Sequence, residues 1–175
     1  MPDRKKLNFA FALGSLLCCI VLAQSVRTSY VPGTNLSKYH TYAWVAIKGG
    51  EHPDPSVDVP IKQSIDSQLA AKGLAKTDGI ADLNVEYQVA ISKVQTWQTY
   101  EDWGSAALLD GRIPQRKRVT LDVGTLVLDL YDRAAKELVW TGQANKTIDP
   151  NSSREARQKA VEKAVKNLLK DFPPK

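Results

Sequence analysis

The clearest pattern in the chain lies at residues 83–91. Leu83, Val85, Tyr87, Val89 and Ile91 alternate with Asn84, Glu86, Gln88 and Ala90. A period of two predicts a strand with one buried and one wet face. Such a strand suits an antiparallel sheet better than a parallel one covered on both sides. A further strand region runs from Val119 to Tyr131. Its apolar positions change phase at Gly124: Val119, Leu121 and Val123 are odd, while Leu126, Leu128 and Leu130 are even. A phase change at a glycine predicts a bulge or bend. Asp132-Arg133-Ala134-Ala135-Lys136 makes a short hairpin loop into a strand over Glu137–Thr147, with Leu138 and Trp140 on one face. Upstream, Val26–Val31 reads as a strand stopped by Pro32-Gly33. Thr41–Ile47, rich in aromatic and β-branched residues, reads as another.

Two segments carry helical periodicity. Asp58 can cap the first, with Pro60 in its opening turn, where a missing N–H is harmless. Ile61, Ile65 and Leu69 fall on one face, and Gly73 can end the helix with Leu74 folding back onto it. The second opens with Ser152 and Glu155 in a capping-box arrangement. Val161, Val165, Leu168, Leu169 and Phe172 form its apolar stripe, and Pro173-Pro174 stops it. The order β-β-α-β-β-β-α predicts an α+β fold: a single antiparallel sheet of about five strands with two amphipathic helices packed on one face.

Ahead of these elements lies a different kind of segment. Asp3-Arg4-Lys5-Lys6 gives a net-positive start, and Leu7–Ala23 is almost wholly apolar. That order is the grammar of a secretory signal, and the apolar run is short of the roughly 20 residues of a membrane span. Leu16-Leu17-Cys18-Cys19 resembles a bacterial lipobox with Cys19 as the lipidated residue. Cys18 is a poorer acceptor, because Ser15 would then take the place of the usual leucine. Val21-Leu22-Ala23 offers an alternative, ordinary cleavage before Gln24. Residues 1–23 therefore read as a signal, cleaved before Cys19 or before Gln24, and residues 26–175 as one domain. From Cys19 to Val26 the chain spans at most roughly 25 Å, which would hold that domain close to a bilayer. Ile20 is not the aspartate that marks inner-membrane retention, which favours the outer membrane, facing the periplasm.

Composition narrows the chemistry. Cys18 and Cys19 are the only cysteines, so the folded part has no disulfide, cysteine metal site or thiol nucleophile. Cleavage before Gln24 removes Asp3, Arg4, Lys5 and Lys6 and takes the formal charge from +5 to +3. The basic balance is thus partly a signal effect and gives little support for nucleic-acid binding. The histidines, His40 and His52, sit in no paired metal motif, and there is no nucleophile elbow or phosphate loop. His52, Asp54 and Asp58 lie in a proline-rich stretch whose spacing is a weak ligand set. No cofactor or metal is expected. A glycosidase-like carboxylate pair forms in space and leaves no sign in the sequence.

Residues 95–118 are the best candidate for a working surface. They read as a long loop between two strands, carrying Trp97, Tyr100 and Trp103, then Arg112, Arg116, Lys117 and Arg118. The favoured reading is that the rings cap an uncovered end of the core. The alternative is a contact surface for glycan or lipid headgroups, or a protein interface.

Several ordered pieces carry a family resemblance: LSKYHTYAW at 36–44, IDSQLAAKGL at 65–74, ADLNVEY at 81–87, GTLVLDLYD at 124–132 and LVWTG at 138–142. Together with the terminal helix they resemble the domain-of-unknown-function family four-one-three-six, small bacterial envelope lipoproteins, from about residue 26 onward. Members commonly have a Gly/Tyr/Trp-rich middle loop, whereas residues 95–118 are basic and glycine-poor. The resemblance implies the α+β fold and the envelope address. It carries no catalytic residues, because the family has no established activity.

The expectation is a non-catalytic envelope lipoprotein, an accessory or binding module held to a membrane by lipid on Cys19, with an envelope glycan, lipid or protein as partner. A soluble periplasmic glycan- or lipid-binding protein using residues 97–118 is the alternative, and an unrecognised envelope hydrolase the third. Cys19→Ser is expected to release the protein from membranes on cell fractionation. A wild-type protein that is fully soluble and begins at Gln24 would refute lipidation.

Overall fold

The computed structural model describes residues 24–45, 53–100 and 115–173. In chain order the elements are β1 (Ser25–Tyr30), a short 3₁₀ turn (Leu36–Lys38), β2 (Thr41–Trp44), α1 (Pro55–Ala71), β3 (Ala75–Lys76), β4 (Leu83–Tyr100), β5 (Gln115–Asp132), β6 (Glu137–Ile148) and α2 (Arg154–Leu168). They form one sheet of six strands in the order β1-β6-β5-β4-β2-β3.

The α+β class holds, but the sheet is mixed rather than antiparallel and has six strands rather than about five. β2 runs parallel to both β4 and β3. Parallel neighbours need a crossover, and α1 supplies it between β2 and β4. Apolar alternation within a strand does not report the direction of its neighbour, so this stayed hidden in the pattern.

One face of the sheet is the core. Val85 pairs with Leu130, Tyr87 with Leu128 and Val89 with Leu126 across β4 and β5. These side chains cluster with Ile61, Ile65 and Leu69 of α1, and with Val165 and Leu168 of α2 and Leu169 just beyond it. Both helices therefore cover the same face. The other face carries Glu86, Gln88, Asp129, Thr141 and Gln143, and there the Thr141 hydroxyl donates to Asp129.

Local details depart from the sequence expectations in ways that have causes. α1 starts at Asp54, whose Oδ1 accepts from Ser56 N at 2.8 Å, with Pro55 as the first helical residue and Pro60 inside the helix. One helix hydrogen bond is forgone at Pro60. Asp58 is thereby freed from capping. Gly73, at φ +87°, ends α1 as expected. Leu74 N donates to Leu69 O at 3.1 Å and Gly73 N to Ala70 O at 3.0 Å, and the Leu74 side chain is buried. α2 is capped by Ser153, one residue later than expected, because its Oγ accepts from Ala156 N at 3.2 Å. Arg157 meanwhile holds the Ser152 carbonyl.

The β4–β5 register runs without a break through Ile91–Gly124, so Gly124 is not a bulge. The irregularity falls instead between β5 and β6, at Leu130/Tyr131, where Val139 is the extra residue. It separates Leu138, which is exposed, from Trp140, which is buried, so the two do not share a face. Gly124 has a different use: a Cβ there would lie 3.1 Å from Ile148 Cδ1, whose side chain crosses it.

A second glycine sets how closely α2 docks. A Cβ on Gly142 would lie 2.5 Å from the Trp140 ring and 2.8 Å from Leu168 Cδ1. Trp140 in turn meets Phe172 edge to face, with centroids 5.3 Å apart. At the β5–β6 turn, Asp132 is buried and Oδ1 accepts from Ala134 N and Ala135 N. Its Oδ2 accepts from Tyr39 OH at 2.8 Å and Lys38 Nζ at 3.3 Å. The Ala135 amide, then the Tyr39 phenol, lower its pKa to about 2, against the opposing cost of burial.

Two outcomes follow from this packing. Gly142→Ala is expected to cost about 1–3 kcal/mol by overpacking, and Leu169→Ala roughly 2–5 kcal/mol by leaving a cavity. Chemical denaturation measures both, and a loss at Leu169 below about 0.5 kcal/mol would mean that α2 does not pack there. Asp132→Asn is expected to cost about 1–3 kcal/mol at neutral pH, through loss of charge-assisted hydrogen bonds. The folded carboxyl titrates below its unfolded value, so its contribution is complete above about pH 4 and fades as pH falls toward 2. The difference in melting temperature between wild type and Asp132→Asn should close across that interval, and a gap independent of pH would contradict it.

Candidate functional site

Of the segment expected to be a long loop, residues 95–100 and 115–118 are strand, and residues 101–114 lie outside the described residues. β4 continues to Tyr100 and β5 begins at Gln115, in register to the pair Tyr100–Gln115. Trp103 and Arg112 lie outside the described residues. Trp97, Arg116, Lys117 and Arg118 lie on the ribbon, and Tyr100 is at its outer end.

This ribbon extends past the rest of the sheet. The last pair between β5 and β6 is Asp122–Ile148, so residues 115–121 pair only with β4. On the other side, β2 pairs with β4 only as far as Val85. Among the described residues, the ribbon from Lys93 to Tyr100 and from Gln115 to Leu121 is two-stranded. It holds four cations, Lys93, Arg116, Lys117 and Arg118, and no carboxylate. A two-stranded ribbon is marginal alone, and this one is held by the continuation of its own ladder into the core.

The register assigns each side chain to a face. Lys93, Trp97, Arg116 and Arg118 share the face that carries the helices further in, and Val94, Lys117, Val119 and Leu121 lie on the opposite one. The phase change at Gly124 now has its explanation. Along β5, the aliphatic residues inside that point face the helices and those outside it, Val123, Leu121 and Val119, face the other way, with no change in register. Trp97 is 58% exposed, and Ile91, Val94 and Leu121 are exposed too. Trp97 pairs directly with Arg118, whose guanidinium carbon sits 5.0 Å from the ring centroid. The favoured expectation that these rings cap the core therefore fails for Trp97. A loop can fold back onto the core where a straight ladder cannot, and Trp97 lies on the ladder.

A second cluster lies where α1 meets β2 and β4, and sequence reasoning missed it. Asp66 Oδ1 accepts from Tyr42 OH at 2.7 Å and Trp44 Nε1 at 2.8 Å, and Oδ2 from Lys76 Nζ at 3.0 Å. Asp58 accepts from Tyr87 OH and from Lys62 Nζ, the latter at 3.0 Å. Trp44 meets Tyr87 edge to face at 5.9 Å. Burial, then the neighbouring carboxylate, raises the pKa of both Tyr42 and Tyr87. Their hydroxyls stay protonated and serve as donors. These carboxylates are occupied in tying α1 to the sheet, and the polar sides of α1 gave no sign of it because their partners lie on distant strands.

The weak metal set is not assembled in the described residues. Asp54 caps α1, Asp58 serves the tyrosine and lysine, and His52 lies outside the described residues. Among the described residues no three His, Cys, Asp or Glu side chains gather as a metal site. Among them, too, no helix is long and apolar enough to cross a membrane. Cys18 and Cys19 lie outside the described residues.

Solved structures give distant likenesses. A PDZ domain protein from Parabacteroides distasonis superposes with a TM-score of 0.58 at 12% identity, over 87% of this chain and 36% of that one. The chain thus spans about a third of that protein's length. A PelC dodecamer from Paraburkholderia phytofirmans gives 0.51 at 15% identity, over 84% of this chain and 95% of that one. At such identities the likeness concerns the fold alone. No curated protein matches the chain. The profile described as Domain of unknown function (DUF4136) matches residues 26–174. That match takes in all six strands and both helices, and the chain belongs to this family.

Proposed function

We propose that this protein is a non-catalytic binding module of the bacterial cell envelope, anchored by lipid on Cys19 to the periplasmic side of the outer membrane, with the β4–β5 ribbon as its contact element. The observation that carries the reading is the ribbon itself. It is a regular ladder beyond the core, with four cations, no carboxylate and a Trp97 that is 58% exposed. An exposed tryptophan on a strand without a core beneath it adds little to folding, and large exposed apolar groups mark contact surfaces. The lipobox-like Leu16-Leu17-Cys18-Cys19 supports the address, as does the resemblance to small envelope lipoproteins. Several acyl chains on Cys19 would anchor the domain stably, where a single one is marginal.

A photo-crosslinking amino acid in place of Trp97 tests the contact element in intact cells, with the same group at exposed Lys163 on α2 as the reference. Adducts with envelope components are expected to form severalfold more at 97 than at 163. Equal yields at the two positions would refute the ribbon as the contact element. Trp97→Ser should meanwhile leave the melting temperature nearly unchanged, because surface substitutions of this kind usually fall within about 0.5 kcal/mol.

A further inference from the structure

The register locates the ribbon relative to the point where the chain enters the sheet. Val26 pairs with Ala144, Ala144 with Leu126, and Leu126 with Val89. The start of β1 is thus level with Val89, four residues inside the base of the ribbon at Lys93. β1 is antiparallel to β6, β6 to β5 and β5 to β4, so the chain preceding Val26 leaves the sheet toward the ribbon's tip.

Two lengths can then be compared. At about 3.4 Å per residue, Trp97 stands about 27 Å beyond Val89 along the ladder. The chain from Cys19 to Val26, fully extended, reaches roughly 25 Å. A domain held at Cys19 with its sheet end-on to the bilayer therefore brings Trp97 and Arg118 to headgroup depth, and a tilted domain lays the ribbon along the surface.

The chemistry of the ribbon fits that location. Arg116, Lys117 and Arg118 pair with Thr99, Gln98 and Trp97 and so face no carboxylate across the ladder, while Lys93, at the base, pairs with Asp122. Trp97 offers an apolar ring with a polar N–H, the combination enriched at membrane interfaces. Val94 and Leu121 add aliphatic surface on the opposite side. The ribbon's charged groups are all cationic, which favours an anionic partner over a neutral one. A second copy of the ribbon would bring like charges together. We infer that the β4–β5 ribbon docks on an anionic phospholipid surface and acts as a second attachment point that fixes the orientation of the tethered domain. The inference rests on the ribbon being the contact element and goes beyond it by naming the partner.

The test uses mature protein purified from membranes and added to vesicles of brominated phosphatidylglycerol or brominated phosphatidylcholine. Bromine quenches tryptophan only on close approach. In the anionic vesicles, quenching is expected to fall about twofold in Trp97→Phe. It should fall similarly in the Arg116→Gln, Lys117→Gln, Arg118→Gln variant, and in wild type at high salt, where screening is nearly complete beyond about 3 Å. In the zwitterionic vesicles Trp97→Phe should change nothing. Far-ultraviolet circular dichroism reports that each variant remains folded. Equal quenching of wild type and Trp97→Phe in anionic vesicles would overturn the inference, as would quenching that ignores lipid charge and salt. Protein or glycan adducts at position 97 in cells, combined with unquenched Trp97 in vesicles, would overturn the lipid assignment while leaving the contact element standing.

Discussion

The antiparallel pairing of β4 with β5 is the constraint on which everything else depends. It is one ladder with two environments. Its inner half is covered by α1 and α2, and Leu83, Val85, Leu128 and Leu130 are fully buried there. Each such side chain contributes roughly 1.5–3 kcal/mol relative to exposure. Among the described residues, its outer half has no helix beneath it. Backbone pairing is continuous across the junction, so the burial that stabilises the inner half also keeps the outer half in register. The outer half is thereby pre-ordered, and on the proposed reading a partner need not supply the entropy of ordering it.

Much of this was legible in the sequence, and the failures share one cause. The strand at Leu83–Val89, the stripes Ile61/Ile65/Leu69 and Val165/Leu168/Leu169, and the Gly73 helix end are local patterns, and local geometry sufficed to read them. What the pattern could not reveal were choices made across the fold. β2 lies parallel to β4 because α1 carries the chain over, and no residue of β2 encodes that direction. Asp58 and Ser152 were read as caps because they have the right type and spacing, but Asp54 and Ser153 had equal claims by type. Leu138 and Trp140 looked equivalent until the extra residue at Val139 turned one of them outward.

The candidate site was half legible for the same reason. Its aromatic and basic composition stood out, and its geometry did not. The charged residues and the polar Gln95, Thr96 and Gln98 around Trp97 read as loop, because strands are normally recognised by a buried face. A ribbon beyond the core has no buried face to reveal it. The phase change at Gly124 was the available signal. It was attributed to a bulge, yet an uninterrupted strand whose apolar side reverses gives the same pattern. Gly124 is small because Ile148 lies over it, and the reversal begins two residues before the last β5–β6 pair, Asp122–Ile148.

That reversal separates two explanations of the ribbon's charges. Long exposed strand edges invite pairing with other chains, and cations on the edge oppose this. Protection alone would be served by charges of either sign with polar neighbours. It does not explain why Trp97, Val94 and Leu121 are exposed on the same short ribbon, since those residues increase the hazard that the charges reduce. A surface that is apolar and uniformly cationic repels a copy of itself and attracts an apolar phase with an anionic boundary. The stacking of Arg118 on Trp97 joins the two properties in one contact, and the register places that contact toward the end of the sheet at which β1 begins.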